Sequence, residues 1–231
     1  MKPKYRFNMT VELVQSMGSD EAVVKAARVS TKTESVDASK DAGLINYLMR
    51  DRHGSPFEHN AFTFYIEAPI FVFREFQRHR IASYNEESAR YKELEPVFYV
   101  PGLYRKLIQK GKPGAYEFEL GDLGQLATVY RSTYEANKLA YEEYQKMLDA
   151  GIAREVARGV LPVNIYSSMY VTMNARSLMN FLSLRIDHKD NLFPSYPQRE
   201  IEMVAEQMEE FFAKEMPITY DFFNKNGRVA P

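Results

Sequence analysis

The order in which strand-like and helix-like stretches follow one another limits this fold more than any other feature of the sequence. Residues 61–67 set Phe62, Phe64 and Ile66 against Thr63, Tyr65 and Glu67, the alternation of a half-buried strand. Residues 6–14 read as a second strand, and 165–173, with a weaker pattern, as a third. Helical signals lie between and after them. Ser19 with Asp20 and Glu21 opens a helix over 22–29, and 39–52 carries Leu44, Ile45, Leu48 and Met49 on one face. Pro69 suits the first turn of a helix through Arg78, and a long helix over 122–150 is ended by Gly151. A short helix over 154–160 stops before Pro162, and two more cover 175–186 and 198–214. The segment 105–121, with three glycines and Pro113, reads as an irregular connection. These elements do not follow a strand–helix–strand rhythm. The expectation is an α+β fold with a small, mostly antiparallel sheet flanked by helices. With no internal repeat, low-complexity tract or Gly/Ser linker, residues 1–231 are expected to form a single domain.

Composition removes several chemistries. The chain has no cysteine, so disulfides, thiolate zinc sites, cysteine-ligated iron–sulfur clusters and a cysteine nucleophile are all excluded. Thirty Lys and Arg against 31 Asp and Glu leave a net charge of -1, which gives no general attraction to nucleic acid or anionic membrane. Met1 to Arg6 is basic, but no sustained apolar segment follows, and no apolar run approaches the ~20 residues of a membrane span. A cytoplasmic protein is expected. No G-x-G-x-x-G follows a strand, no H-E-x-x-H occurs and Ser88 lacks a G-x-S-x-G context. A Rossmann site, a bound metal and a serine triad are therefore not expected.

Three clusters of charge call for a partner. In 74–91, REFQRHRIASYNEESARY, Arg74 and Arg78 fall at i and i+4 if the helix continues, and like charges there repel. Ser83, Asn85, Glu86, Ser88 and Arg90 follow closely, offering hydroxyl, amide, carboxylate and guanidinium groups of the kind that bind a nucleotide. In 154–158, REVAR, Arg154 and Arg158 repeat the i, i+4 spacing, as a solvated face also would. In 174–185, NARSLMNFLSLR, Arg176 and Asn180 share one helical face. Arg185, nine residues beyond Arg176, points to nearly the opposite side at about 100° per residue. Partial exposure at two edges accounts for that pattern, and so does a helix between two ligand sites. The aromatic and methionine residues of 71–76 and 203–212 read as core at helical spacing.

Arg78-His79-Arg80, seven residues and then Ser88 reproduce the RHR-x7-S signature of flavin-dependent thymidylate synthases, which the chain resembles. HGSPFEH at 53–59, REVARGVLP and NARSLMNFLSLR resemble the same family in the same order, over roughly 10–215. The resemblance implies a homotetramer with a non-Rossmann flavin-binding fold and active sites shared between subunits. It implies reductive methylation of dUMP to dTMP, with methylenetetrahydrofolate as one-carbon donor, bound FAD and NADPH as reductant. By match to the motifs, FAD is held by Ser55, Arg78, His79, Arg80, Glu86, Asn174, Arg176 and Asn180. The dUMP is held by Glu75, Gln77, Arg78, Glu86, Ser88, Arg90, Arg158 and Arg185. Arg185 is implied to ionise or polarise the uracil ring, with His53 close to the flavin, so these two are the catalytic candidates. Ser88 has no paired base and is assigned to nucleotide binding. Position 75 is Glu where some members carry Gln, which leaves open a related flavoenzyme acting on another pyrimidine nucleotide. A single-strand-binding module using Tyr84 and Tyr91 is the other alternative, opposed by Glu75, Glu86 and Glu87 within the same patch.

Overall fold

The structure is a computed structural model that describes residues 2–32, 37–112 and 115–231. In chain order its elements are β1 (Lys4–Arg6), β2 (Thr10–Ser16), α1 (Asp20–Arg28), α2 (Ala38–Arg50), β3 (Ala61–Pro69) and α3 (Ile70–Phe76). There follow β4 (Ser83–Glu86), β5 (Val97–Tyr99), β6 (Ile108–Lys112), β7 (Ala115–Glu119), α4 (Leu123–Asp149) and α5 (Arg154–Ala157). The chain closes with β8 (Tyr166–Asn174), α6 (Ala175–Arg185), α7 (Arg199–Glu215) and α8 (Pro217–Lys225). Short 3-10 turns occupy Ser55–His59 and Arg158–Val160. The class is α+β, with a small antiparallel sheet flanked by helices.

Two compact units divide the chain. The first takes Met1–Asn8, Glu67–Arg74 and Glu86–Ser168, and the second Met9–Ile66, Glu75–Asn85 and Met169–Pro231. In the first, β1 pairs with β5 in parallel, with Tyr5 opposite Phe98, and Phe98 bridges Ile165 in the antiparallel sense. Phe98, Ile165, Leu94, Tyr141, Tyr144 and Ala157 form its buried cluster. Tyr141 and Tyr144 come from α4, which begins with a reciprocal capping box between Asp122 and Gln125. It ends with Gly151 at φ +77°, where Gly151 N–H bonds to Leu148 and Ile152 N–H to Met147, as the glycine at this position promised.

The expected irregular connection at 105–121 is instead a β-hairpin: β6 and β7 pair antiparallel, Ile108 opposite Glu119 and Gly111 opposite Tyr116. Its residues are largely exposed, so the apolar stripe that marks a strand in sequence is missing. Pro113 and Gly114, like Met1, lie outside the described residues.

The second unit holds the body of the main sheet, ordered β2-β3-β8-β4. Phe62, Phe64 and Ile66 of β3 are fully buried on one face, as their alternation requires. Phe212 of α7 meets Phe62 edge to face at 6.0 Å, and Phe211 approaches Phe64 at 6.2 Å. Ile201, Val204, Ala205, Met208 and Phe212 recur along α7 at i, i+3, i+4 spacing and are buried. Burying each such large side chain contributes about 1.5–3 kcal/mol, so this helix–sheet contact is a main source of the unit's stability. On the other face Thr63 and Thr172 hydrogen-bond at 2.9 Å, and Tyr65 meets Tyr170 at 5.5 Å. The third expected strand is thus an interior one, β8, beginning at Tyr166.

Two helix ends differ from expectation. Pro69 closes β3 rather than opening a helix, and α3 stops at Phe76, so Arg78 lies in the following turn. That turn is held by Arg78 N–H to Glu75 and His79 N–H to Phe76. The last helix, α8, was not expected; Pro217 begins it, and Asp20 of α1 caps it by accepting from Ile218 N–H, Thr219 N–H and the Thr219 hydroxyl.

Candidate active site

In the second unit, the end of α2 sets the first candidate. Arg52 adopts a left-handed φ of 65°, and the amides of Arg52 and His53 turn back onto Met49 and Leu48. His53 is therefore delivered by a helix-terminating turn, with its ring 5.3 Å from Tyr47. Gly54 follows where nothing larger fits: a Cβ there would stand 2.5 Å from Arg176 Nε and 2.7 Å from the Pro231 carbonyl. Ser55 heads the next turn, exposed to solvent.

The helix α6 carries the next group. Asn174 is its N-cap, its side chain accepting from Ser177 N–H at 2.8 Å. Arg176 donates to Glu58 and to the Pro231 carbonyl, and Asn180 lies one turn on, exposed. Arg185, at the far end, reaches different neighbours. Its Nη1 pairs with Glu75 Oε2 at 2.9 Å, its Nε donates to His79 Nε2 at 3.0 Å, and its Nη2 meets the Glu75 carbonyl at 3.4 Å. The two arginines of this helix thus share no partner among the described residues.

His79 is packed edge-on to Phe181 at 4.9 Å, and Phe181 stacks on Phe76 at 4.7 Å. The Tyr84 hydroxyl lies 2.9 Å from the Phe76 carbonyl and 2.7 Å from that of His79, and donates to this pair. Burial, then the nearby Arg185 charge, push the His79 imidazole down to about 4, so it is neutral at physiological pH. The turn leaves Gln77, Arg78 and Arg80 exposed. Among the described residues neither Arg78 nor Arg80 has a salt-bridge partner.

The first unit holds four candidates. Glu86 hydrogen-bonds Ser167, with the charges of Arg74 and Arg158 also acting on it. Burial nevertheless outweighs them and lifts its carboxyl above the usual range. Ser88 Oγ accepts only the Arg90 backbone N–H, at 3.3 Å, so no base activates it among the described residues. Arg90 Nε pairs with Glu155 Oε2 at 3.0 Å and lies over the Tyr91 ring. Arg158 is exposed, without a salt bridge among the described residues. Each unit thus presents guanidinium groups that have no carboxylate partner among the described residues, beside polar side chains, a donor set suited to a polyanionic nucleotide.

The family model for thymidylate synthase complementing protein matches residues 12–218, nine-tenths of the sequence. The chain belongs to that family. It is 60% identical over 238 residues to a flavin-dependent thymidylate synthase of Streptomyces avermitilis, covering 100% of this chain and 97% of that one. It is 56% identical to another from Tropheryma whipplei, covering 100% and 98%. A solved UMP/dUMP methylase from Streptomyces cacaoi, bound with 5-Br UMP, superposes with a TM-score of 0.93 at 56% identity, over 99% of each chain.

Several contact partners of the candidate residues in this family member were not singled out from sequence. Glu58 lies inside HGSPFEH and Glu155 inside REVAR, so both stood within quoted motifs as unremarked acids. Ser167, the partner of Glu86, lies in β8, whose pattern was the weakest of the three strands. Tyr84 reads in sequence as a stacking residue, whereas its hydroxyl ties down the turn that carries His79. Among the described residues, no group of three His, Asp or Glu is placed to hold a metal ion, and no helix is long and apolar enough to cross a membrane.

Proposed function

We propose that this chain is a flavin-dependent thymidylate synthase that methylates dUMP to dTMP. The observation that carries the reading is agreement over the whole chain, at 56–60% identity, with enzymes of that name. The donor set fits the flavin. Arg78 and Arg80 are exposed cations with no carboxylate partner among the described residues, suited to a pyrophosphate, and Ser55 and Asn180 offer an exposed hydroxyl and amide. FAD is then held by Ser55, Arg78, His79, Arg80, Glu86, Asn174, Arg176 and Asn180, and when bound it supplies the reducing chemistry that a protein side chain lacks. The nucleotide is held by Gln77, Arg78, Glu86, Ser88, Arg90, Arg158 and Arg185, with Glu75 assigned to the same site beside Arg185. Methylenetetrahydrofolate is the one-carbon donor and NADPH the reductant. The enzyme works as a cytoplasmic homotetramer whose active sites are shared between subunits, each chain serving as one functional domain.

The chain has no thiol to add to the pyrimidine ring. Arg185 instead places positive charge where negative charge develops on the uracil, an electrostatic role set before reaction. His53 stands at the flavin, ordering the folate or a water. Ser88 orients the nucleotide without covalent work. The absorption spectrum of the purified protein with added FAD, recorded with and without dUMP, tests the reading. A flavin spectrum that shifts on dUMP addition is expected; a protein that takes up no FAD sinks it. A second reading, in which UMP is accepted beside dUMP, rests on the Streptomyces cacaoi methylase. Competition between UMP and dUMP separates the two.

A further inference from the structure

We infer that Glu75 is a positioning residue that, together with His79, fixes the Arg185 guanidinium before a nucleotide arrives. The inference rests on the reading above, in which Arg185 faces the pyrimidine. Left to itself, an arginine side chain gives up rotamer freedom when it is ordered. Here that ordering is done in advance by contacts to two residues. Nε donates to His79 Nε2 at 3.0 Å, Nη1 meets the Glu75 carboxylate at 2.9 Å, and Nη2 meets the Glu75 carbonyl at 3.4 Å. A guanidinium has five N–H bonds. Two of these are given to His79 and to the Glu75 carbonyl, and the charge at Nη1 is paired with the Glu75 carboxylate, so N–H bonds on both terminal nitrogens remain for a nucleotide.

His79 can accept at Nε2 only as a neutral imidazole with its proton on Nδ1. Packing against Phe181, and the Tyr84 hydroxyl on the backbone carbonyls of Phe76 and His79, hold that ring in place. Its depressed basicity agrees with this state. Arg185 is only 17% exposed, so its bond to the Glu75 carboxylate is screened less than a surface pair. Glutamine at position 75 keeps an acceptor for Nη1 but removes the charge. Glu75 thereby acts on the nucleotide through Arg185.

Two measurements on the FAD-loaded chain and its E75A, E75Q, R185A and E75A/R185A variants test this. The first is the imidazole NMR spectrum, readable because the chain has four histidines. In the wild type and E75Q, His79 is expected as the Nδ1–H tautomer without titration between pH 5 and 8; in E75A and R185A it titrates closer to its ordinary range. The second is the dissociation constant of dUMP from the oxidised protein. E75A is expected to weaken binding about tenfold, the size of a lost charged hydrogen bond, while E75Q stays within about threefold. E75A/R185A is expected to match R185A, because Glu75 has nothing to position once Arg185 is gone. The inference is overturned if E75A leaves His79 unchanged, or if E75A weakens dUMP equally with and without Arg185. Should the wild type bind no dUMP, the functional reading fails and the spectra alone decide: movement of His79 in E75A sustains the positioning role, and its absence overturns it.

Discussion

Arg185 in the second unit and Arg90 in the first are each paired with a glutamate at nearly the same distance, 2.9 and 3.0 Å, yet the two pairs are not equivalent. Arg185 is 17% exposed and gripped by three contacts, whereas Arg90 is 51% exposed and its partner Glu155 is 55% exposed. Water and salt screen the second pair, so it holds Arg90 loosely. The first pair holds a charge in one orientation. Separation therefore does not describe what an ion pair does; burial and the number of contacts decide whether an arginine is a fixed electrostatic element or a mobile clamp.

The largest effect is expected at the fixed arginine. R185A should lower kcat/KM for dTMP formation by about 100- to 1000-fold, the range for removing one preorganised charge-stabilising donor. A loss under about tenfold breaks the contrast. R90A should raise KM for dUMP by roughly tenfold with kcat little changed, as expected for a contact made equally in ground and transition states. That penalty should shrink as ionic strength rises. A fall in kcat alone places Arg90 with Arg185 instead.

Two titrating groups sharpen the contrast, because burial shifts each toward its neutral form with opposite consequences for pH. The His79 value in the folded chain, about 4, lies below the ordinary 6.5. Between those values the unfolded chain binds a proton that the folded chain does not. The associated stability is full above pH 6.5 and is lost as pH falls toward 4. Glu86 is raised above its ordinary 4.5, so its contribution is present below that value and is lost as pH rises through the folded one. Chemical denaturation across pH should show H79N flattening the acid limb. E86Q should give a gain at neutral pH of about 1 kcal/mol or less after solvent screening. A loss on E86Q at neutral pH contradicts the assignment. Smallest of all, E155A should change stability by about 0–1 kcal/mol and dUMP affinity by less than about threefold, both vanishing at high salt.

Much of the fold was legible because its signals are local. The alternation of Phe62, Phe64 and Ile66 needs only the two-residue strand period, and Gly151 is the residue a left-handed helix end prefers. The opposed faces expected of Arg176 and Arg185 came from helical geometry read beside the family resemblance. What stayed hidden depends on contacts distant in sequence or on surfaces without an apolar face. The β6–β7 hairpin is largely exposed and has no stripe to read. The cap of α8 comes from Asp20, almost two hundred positions earlier. Within the candidate site the arginines stood out as an excess of like charge. Their acidic partners, Glu58, Glu75 and Glu155, were in plain view, but which arginine each one meets is set by tertiary structure.

The central claim is tested most directly by supplying the FAD-loaded chain with methylenetetrahydrofolate, NADPH and dUMP carrying tritium at carbon 5. The account predicts tritium release accompanied by dTMP, lost in R185A. A chain that binds FAD and dUMP but releases no tritium and forms no methylated nucleotide contradicts it.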